Sequence, residues 1–143
     1  MAEMDQLAAG IREMAAEVGF AAVGFAPAGE IALADRFREW LDRGYDADMA
    51  YMRRNRDKRL CPSRLVEGAA SVICLAAAHC PADNSGALVA RYAQGRDYHR
   101  VLKALCIDLM DRIRQEQPSF AGRPFVDSAP VMERALAAMS GIG

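Results

Sequence analysis

No two of the four cysteines stand as a C-x-x-C pair. Cys61, Cys74, Cys80 and Cys106 are too scattered for a zinc site or an iron–sulfur ligand run, which need thiolates at short, fixed spacing. Cys74 falls in an apolar, strand-like run and Cys106 on an apolar helical face, so both are expected as core thiols. Cys61 and Cys80 stand beside prolines in loops, and nothing points to a role for either. No apolar h-region opens the chain; its N-terminus is acidic and amphipathic, unlike a secretory signal. The longest apolar run, around 69–78, is far too short to span a bilayer. The expectation is a soluble, cytoplasmic chain with no membrane partner. An excess of one charge is absent too: 18 basic and 19 acidic residues leave a net −1. That balance decides nothing about a polyanion partner, because local patches govern such binding. Internal repeats and low-complexity linkers are also missing.

The 143 residues are the size of one ordinary domain, and 52% of them are hydrophobic, enough for a core. A 3.6-residue period over 5–18 puts Leu7, Ile11, Met14, Ala15 and Val18 on one helical face, with Asp5 as a cap and Gly19 as the stop. A short strand is expected over 20–25. A second helix over 31–43 turns Leu33, Phe37, Trp40 and Leu41 inward and ends at Gly44. A short helical piece closes the stretch 44–52, and Pro62 starts another that Gly68 ends. The run 70–78 reads as a central strand buried on both faces. Leu88-Val89-Ala90 and Pro124-Phe125-Val126 read as short strands, Val101–Ile113 as an amphipathic helix, and 131–139 as a last helix. The sum is a mixed α/β or α+β domain, with helices on both sides of a small mixed sheet.

Three stretches carry chemistry. Arg91–His99 packs two arginines, two tyrosines, an aspartate and one of the two histidines into nine residues at a strand-to-helix turn. Free backbone N–H groups at such a turn suit an anionic or polar ligand. The plainer alternative is an ordinary helix start with Asp97 as N-cap. Residues 53–64 hold six basic side chains against Asp57 alone, a net +5. This is either a solvated loop or a phosphate-contact surface. Asp127, before Ser128-Ala129-Pro130, either caps the last helix or is a partly buried carboxyl group aimed into a cleft. Burial would raise its pKa and suit it to general acid work. Glu133 and Arg134 follow, with a solvated pair as the default.

Tyr92-Ala93-Gln94-Gly95-Arg96-Asp97-Tyr98-His99, then Val126-Asp127-Ser128-Ala129-Pro130-Val131-Met132-Glu133-Arg134, then Gly141-Ile142-Gly143 resemble the tRNA epoxyqueuosine reductase family. Weaker matches lie at Phe37–Gly44, Met49–Arg53, Lys58-Arg59 with Pro62, and Gly68-Ala69 before Ser71-Val72-Ile73. The resemblance covers essentially the whole chain. It implies a cytoplasmic enzyme of cobalamin and two four-iron, four-sulfur (4Fe-4S) clusters. Such an enzyme reduces the epoxide of epoxyqueuosine at the tRNA wobble position, the last step of queuosine synthesis. It implies a nitroreductase-like cobalamin-binding domain similar to that of reductive dehalogenases. The partners implied are the tRNA and an external electron donor, and the chain is expected as a monomer. Carried over residue by residue, Asp127 matches the proton donor. Asp97, Tyr98 and His99 match the cobalamin-pocket motif, and Arg59 matches a cofactor contact. The family's cluster-binding cysteine runs have no counterpart here, so the expectation is an N-terminal cobalamin-binding domain, 1–143, cut before the ferredoxin-like module. Two other readings stand beside the reductase: a corrinoid-binding module inactive alone, and a basic RNA-binding domain resting on 53–64.

Overall fold

The computed structural model describes residues 2–79, 92 and 95–143. These form helices α1 (Ala2–Val18), α2 (Ala34–Asp42), α3 (Ala50–Arg53), α4 (Arg56–Leu60), α5 (Tyr98–Glu116) and α6 (Glu133–Ser140), with strands β1 (Ala22–Pro27) and β2 (Ser71–Ala76). The fold is α+β, and the chain divides into two units. One is Met1–Val23 with Leu75–Val126; the other is Gly24–Cys74 with Asp127–Gly143.

In the first unit α1 packs along α5. The buried stripe of α1 is Ile11, Met14 and Ala15, the i, i+3, i+4 spacing of one helical face. Leu7, expected on that face, is 38% exposed a turn earlier. On α5 the buried positions are Leu109 and Ile113, again four apart. Arg112 Nη1 donates to Glu17 Oε2 at 2.9 Å across the helix pair. Gly19, at φ 115, stops α1, and its N–H closes on Ala15 O at 3.1 Å. Phe20 is still tied to the helix, its N–H donating to Ala15 O at 2.9 Å. The strand therefore starts at Ala22, two residues later than the apolar run suggested.

In the second unit α2 buries Ala34, Phe37 and Leu41. Trp40, expected as core, is only partly covered and stacks on Phe37 with ring centroids 5.8 Å apart. The helix begins at Ala34 rather than Ile31, and the Ile31 N–H donates outside it to Leu60 O at 2.9 Å. Leu33, at the N-cap position, is therefore 41% exposed instead of inward. α6 ends at Gly141, whose φ of 82 admits the left-handed cap. Gly24 of β1 lies under the end of α6: a Cβ there would fall 2.6 Å from Ser140 O.

β1 and β2 form a two-stranded antiparallel sheet. Its register shows in Ala21 N–H to Ala76 O at 2.7 Å and Ala28 N–H to Ala70 O at 3.0 Å. Among the described residues the sheet is therefore not mixed. β2 is not a central strand buried on both faces, since none of its residues is fully buried. Pro124-Phe125-Val126 forms no strand. Leu88-Val89-Ala90 lies outside the described residues. Cys74 and Cys106 are partly covered rather than fully interior. Burial pushes both thiols up, and the Ser140 hydroxyl partly opposes this at Cys74.

Candidate functional site

In the second unit an open cleft of about 480 Å³ lies between two short stretches. That size is within the range of small-molecule sites. One wall is α3–α4, with Tyr51, Arg54, Asn55 and Arg59; the other runs from Asp127 to Glu133. The first wall is set by Asn55. Its φ of 59 is left-handed, a conformation asparagine tolerates better than most residues, and it breaks α3 from α4.

The loop before α3 is held by a buried acid. Asp46 is 2% exposed and accepts from Arg53 Nη2 at 2.6 Å, and the same nitrogen donates to Leu41 O at 2.6 Å. Arg53 is thus a structural clip. Of the other basic residues read as phosphate contacts, Arg56 and Arg64 lie 3.8 and 3.6 Å from Asp57, while Arg54 lines the cleft.

Arg59 projects from α4. Its Nη2 donates to Tyr51 O at 3.4 Å and its guanidinium lies 5.8 Å from the Tyr51 ring centroid. Its Nε is buried and has no hydrogen-bond partner among the described residues. A buried donor without a partner is costly, and an acceptor on a bound ligand would remove that cost.

Asp127 does not cap the last helix. α6 starts at Glu133 with Met132 at the N-cap, which leaves Asp127 and Pro130 in the approach. Nor is Asp127 partly buried: it is exposed at the cleft wall. Its φ of 49 is left-handed, a strained setting of the kind that recurs at functional sites. The carboxyl that is pushed up is Glu133's. Desolvation of the carboxyl group is the main cause, although the residue, like Asp127, is exposed; backbone hydrogen bonding opposes it, the Asp127 charge adds to the rise and Arg59 opposes it. The sequence placed Glu133 in a solvated pair with Arg134 and missed it. Its position one helix start after Asp127 was the only available signal.

Asp97, Tyr98 and His99 lie in the first unit, at the start of α5. The capping expectation holds there: Asp97 Oδ1 accepts from His99 N–H at 3.1 Å and meets His99 Nδ1 at 2.8 Å. The His99 side chain, first of all, holds the Asp97 carboxyl below its usual range; its backbone N–H, its charge and Arg100 add to this, while desolvation opposes. Tyr98 stacks on His99 at 4.0 Å between centroids and takes Tyr92 edge-on at 5.6 Å. Arg59 and Asp127 share one cleft, and Asp97, Tyr98 and His99 share one helical turn.

The α+β fold is also found in known reductases. A selenomethionine-labelled epoxyqueuosine reductase superposes with a TM-score of 0.83 at 26% identity, over 96% of this chain and 39% of that one. An epoxyqueuosine reductase solved with an epoxyqueuosine-modified tRNA-Tyr stem loop gives 0.79 at 25% identity, over 96% and 39%. Residues 59–128 match the family described as epoxyqueuosine reductase QueG, DUF1730. The epoxyqueuosine reductase of Leadbetterella byssophila is 42% identical over 137 residues, 93% of this chain and 45% of the relative. That of Escherichia coli K12 is 35% identical over 150 residues, 99% and 40%. The chain belongs to the epoxyqueuosine reductase family. It spans less than half the length of these curated relatives.

Proposed function

We propose that the chain serves the reduction of epoxyqueuosine to queuosine in tRNA, as the cobalamin-binding part of an epoxyqueuosine reductase. The observation that carries this reading is the cleft shared by Asp127 and Arg59, in a chain similar to these reductases over nearly all its length. The same reading makes 1–143 a nitroreductase-like, cobalamin-binding domain of a cytoplasmic, monomeric enzyme.

Cobalamin fits on one structural count. Its corrin ring carries amide side chains whose carbonyl oxygens accept hydrogen bonds, and the buried Arg59 Nε is a donor in need of one. In this reading Arg59 takes such a carbonyl; in the first unit the Tyr98–His99 stack, with Asp97 fixing the imidazole, offers a flat polar edge. Cobalamin, when bound, supplies the reducing electrons. The departing epoxide oxygen needs a proton, and Asp127, on the cleft wall, is the group that would give it. Arg54, which lines the cleft, is in this reading a contact for the tRNA phosphate backbone.

Iron–sulfur clusters do not fit this chain's residues. The cysteine spacing is wrong, and among the described residues no three His, Cys, Asp or Glu side chains converge. In this reading the electrons come from an external donor. The same spacing favours a second reading, a corrinoid-binding module without turnover of its own.

The test is in two stages. Cobalamin is titrated into the purified chain and followed by its visible absorption, with R59A and H99A alongside. Saturable binding weakened in both variants supports the pocket; a folded chain that binds none overturns it. The loaded chain is then given a chemical reductant and an epoxyqueuosine-modified stem loop, with loss of one oxygen read by mass spectrometry. Conversion that D127N abolishes supports the reductase, and binding without conversion selects the module.

A further inference from the structure

Reducing an epoxide to an alkene breaks two C–O bonds, forms one C=C bond and releases the oxygen as water. The balance needs two electrons, from a low-potential one-electron donor acting twice, and two protons. A single carboxylic acid delivers one proton and is then spent. Asp127 therefore leaves half the protons unassigned.

The second wall of the cleft carries one other carboxyl group. Glu133 opens α6, and the loop from Asp127 through Pro130 folds so that both acids line the same space. The Val131 N–H donates to Ala129 O at 2.8 Å and fixes that turn. Arg59 faces the pair from the opposite wall with its unpartnered Nε, and Arg54 lines the same cleft. We infer that Glu133 is the second proton donor of the reaction, giving the proton that turns the cleaved epoxide oxygen into water. The inference rests on the reductase reading. Charge supports it: desolvation raises the Glu133 pKa against its backbone hydrogen bond, and Asp127, once it has given up its own proton, raises it further, with Arg59 opposing.

The experiment has an arm that does not need turnover. The Glu133 carboxyl carbon is followed by NMR against pH in the wild-type chain and in D127N. The expected result is a midpoint above that of an ordinary glutamate, moving down when the Asp127 charge is removed. A midpoint in the ordinary range overturns the inference whatever the chain's activity. In the loaded, chemically reduced chain, E133Q is expected to lower kcat by about 10²-fold or more with KM for the stem loop nearly unchanged. A role confined to folding would instead lower the melting temperature and leave kcat of the folded fraction intact. Wild-type kcat in E133Q sinks the inference and spares the reductase reading; a wild-type chain that binds cobalamin but converts nothing sinks that reading itself.

Discussion

Removing Arg53 is expected to destabilise the protein more than removing Arg53 and Asp46 together. Asp46 is 2% exposed, and Arg53 is its ion-pair partner at 2.6 Å. Breaking a buried pair from one side costs about 3–5 kcal/mol, because the remaining charge is left unpaired in the interior. Arg53 is itself half-exposed and water can reach part of the gap, so about 2 kcal/mol is the better figure. Losing the bond to Leu41 O adds about 1 kcal/mol, giving roughly 3 kcal/mol for R53A. D46A leaves a guanidinium that still reaches Leu41 O and water, and should cost about 1 kcal/mol. The double variant strands no charge and should cost about 2 kcal/mol. Arg43, in an exposed i, i+4 pair with Glu39, is the control, with R43A expected within about 0.5 kcal/mol of wild type. Urea unfolding of the four variants gives the cycle, and R53A should also melt about 10 °C lower. The reasoning is refuted if R53A loses no more than R43A, or if the double variant is weaker than R53A.

Gly24→Ala should destabilise by about 1–3 kcal/mol in the same unfolding assay, because the new Cβ would meet the backbone oxygen of Ser140, which cannot rotate aside. At Asp127, asparagine and glycine both tolerate the left-handed backbone, so D127N and D127G should keep wild-type melting temperatures. D127A should unfold about 1 kcal/mol more easily. Asp97 has a folded-state pKa below its unfolded value, so its contribution is present above the unfolded pKa and fades as pH falls through the folded one. The protection factor of the His99 amide, its exchange rate corrected for the intrinsic pH dependence, should fall over that acid window in wild type and stay flat in D97N.

The helices were legible because their signals are local. Ile11, Met14 and Ala15 announce a face by spacing alone, and Gly19 and Gly44 mark stops that no other residue type fits as well. Strands were less legible. Val72-Ile73-Cys74-Leu75 shows that a segment is apolar, not how many neighbours it has, and here it has one among the described residues. Pro124-Phe125-Val126 is apolar as well, yet no strand pairs with it among the described residues. Arg59 came from a family resemblance alone, whereas Asp127 was already a candidate from its place between an apolar run and Pro130. The resemblance included Glu133 in its motif but gave it no role, since its shift depends on desolvation and on two charges that only the fold brings near.

The three arginines 53, 54 and 59 show why spacing alone could not sort these roles. On one unbroken helix Arg54 and Arg59 would sit roughly 140° apart around the axis, and Arg54 would share its face with Lys58 instead. The left-handed turn at Asn55 resets the phase between α3 and α4. Arg53 stays on the side of Asp46 and becomes a clip, while Arg54 and Arg59 come to line one cleft. A basic run that reads as a uniform phosphate surface is thus divided by a single backbone conformation into a structural part and a ligand-facing part. The arginine facing the two acids carries the buried Nε that has no partner among the described residues. Leaving that donor unmatched is a cost to the folded chain, and a ligand acceptor in the cleft is what would offset it.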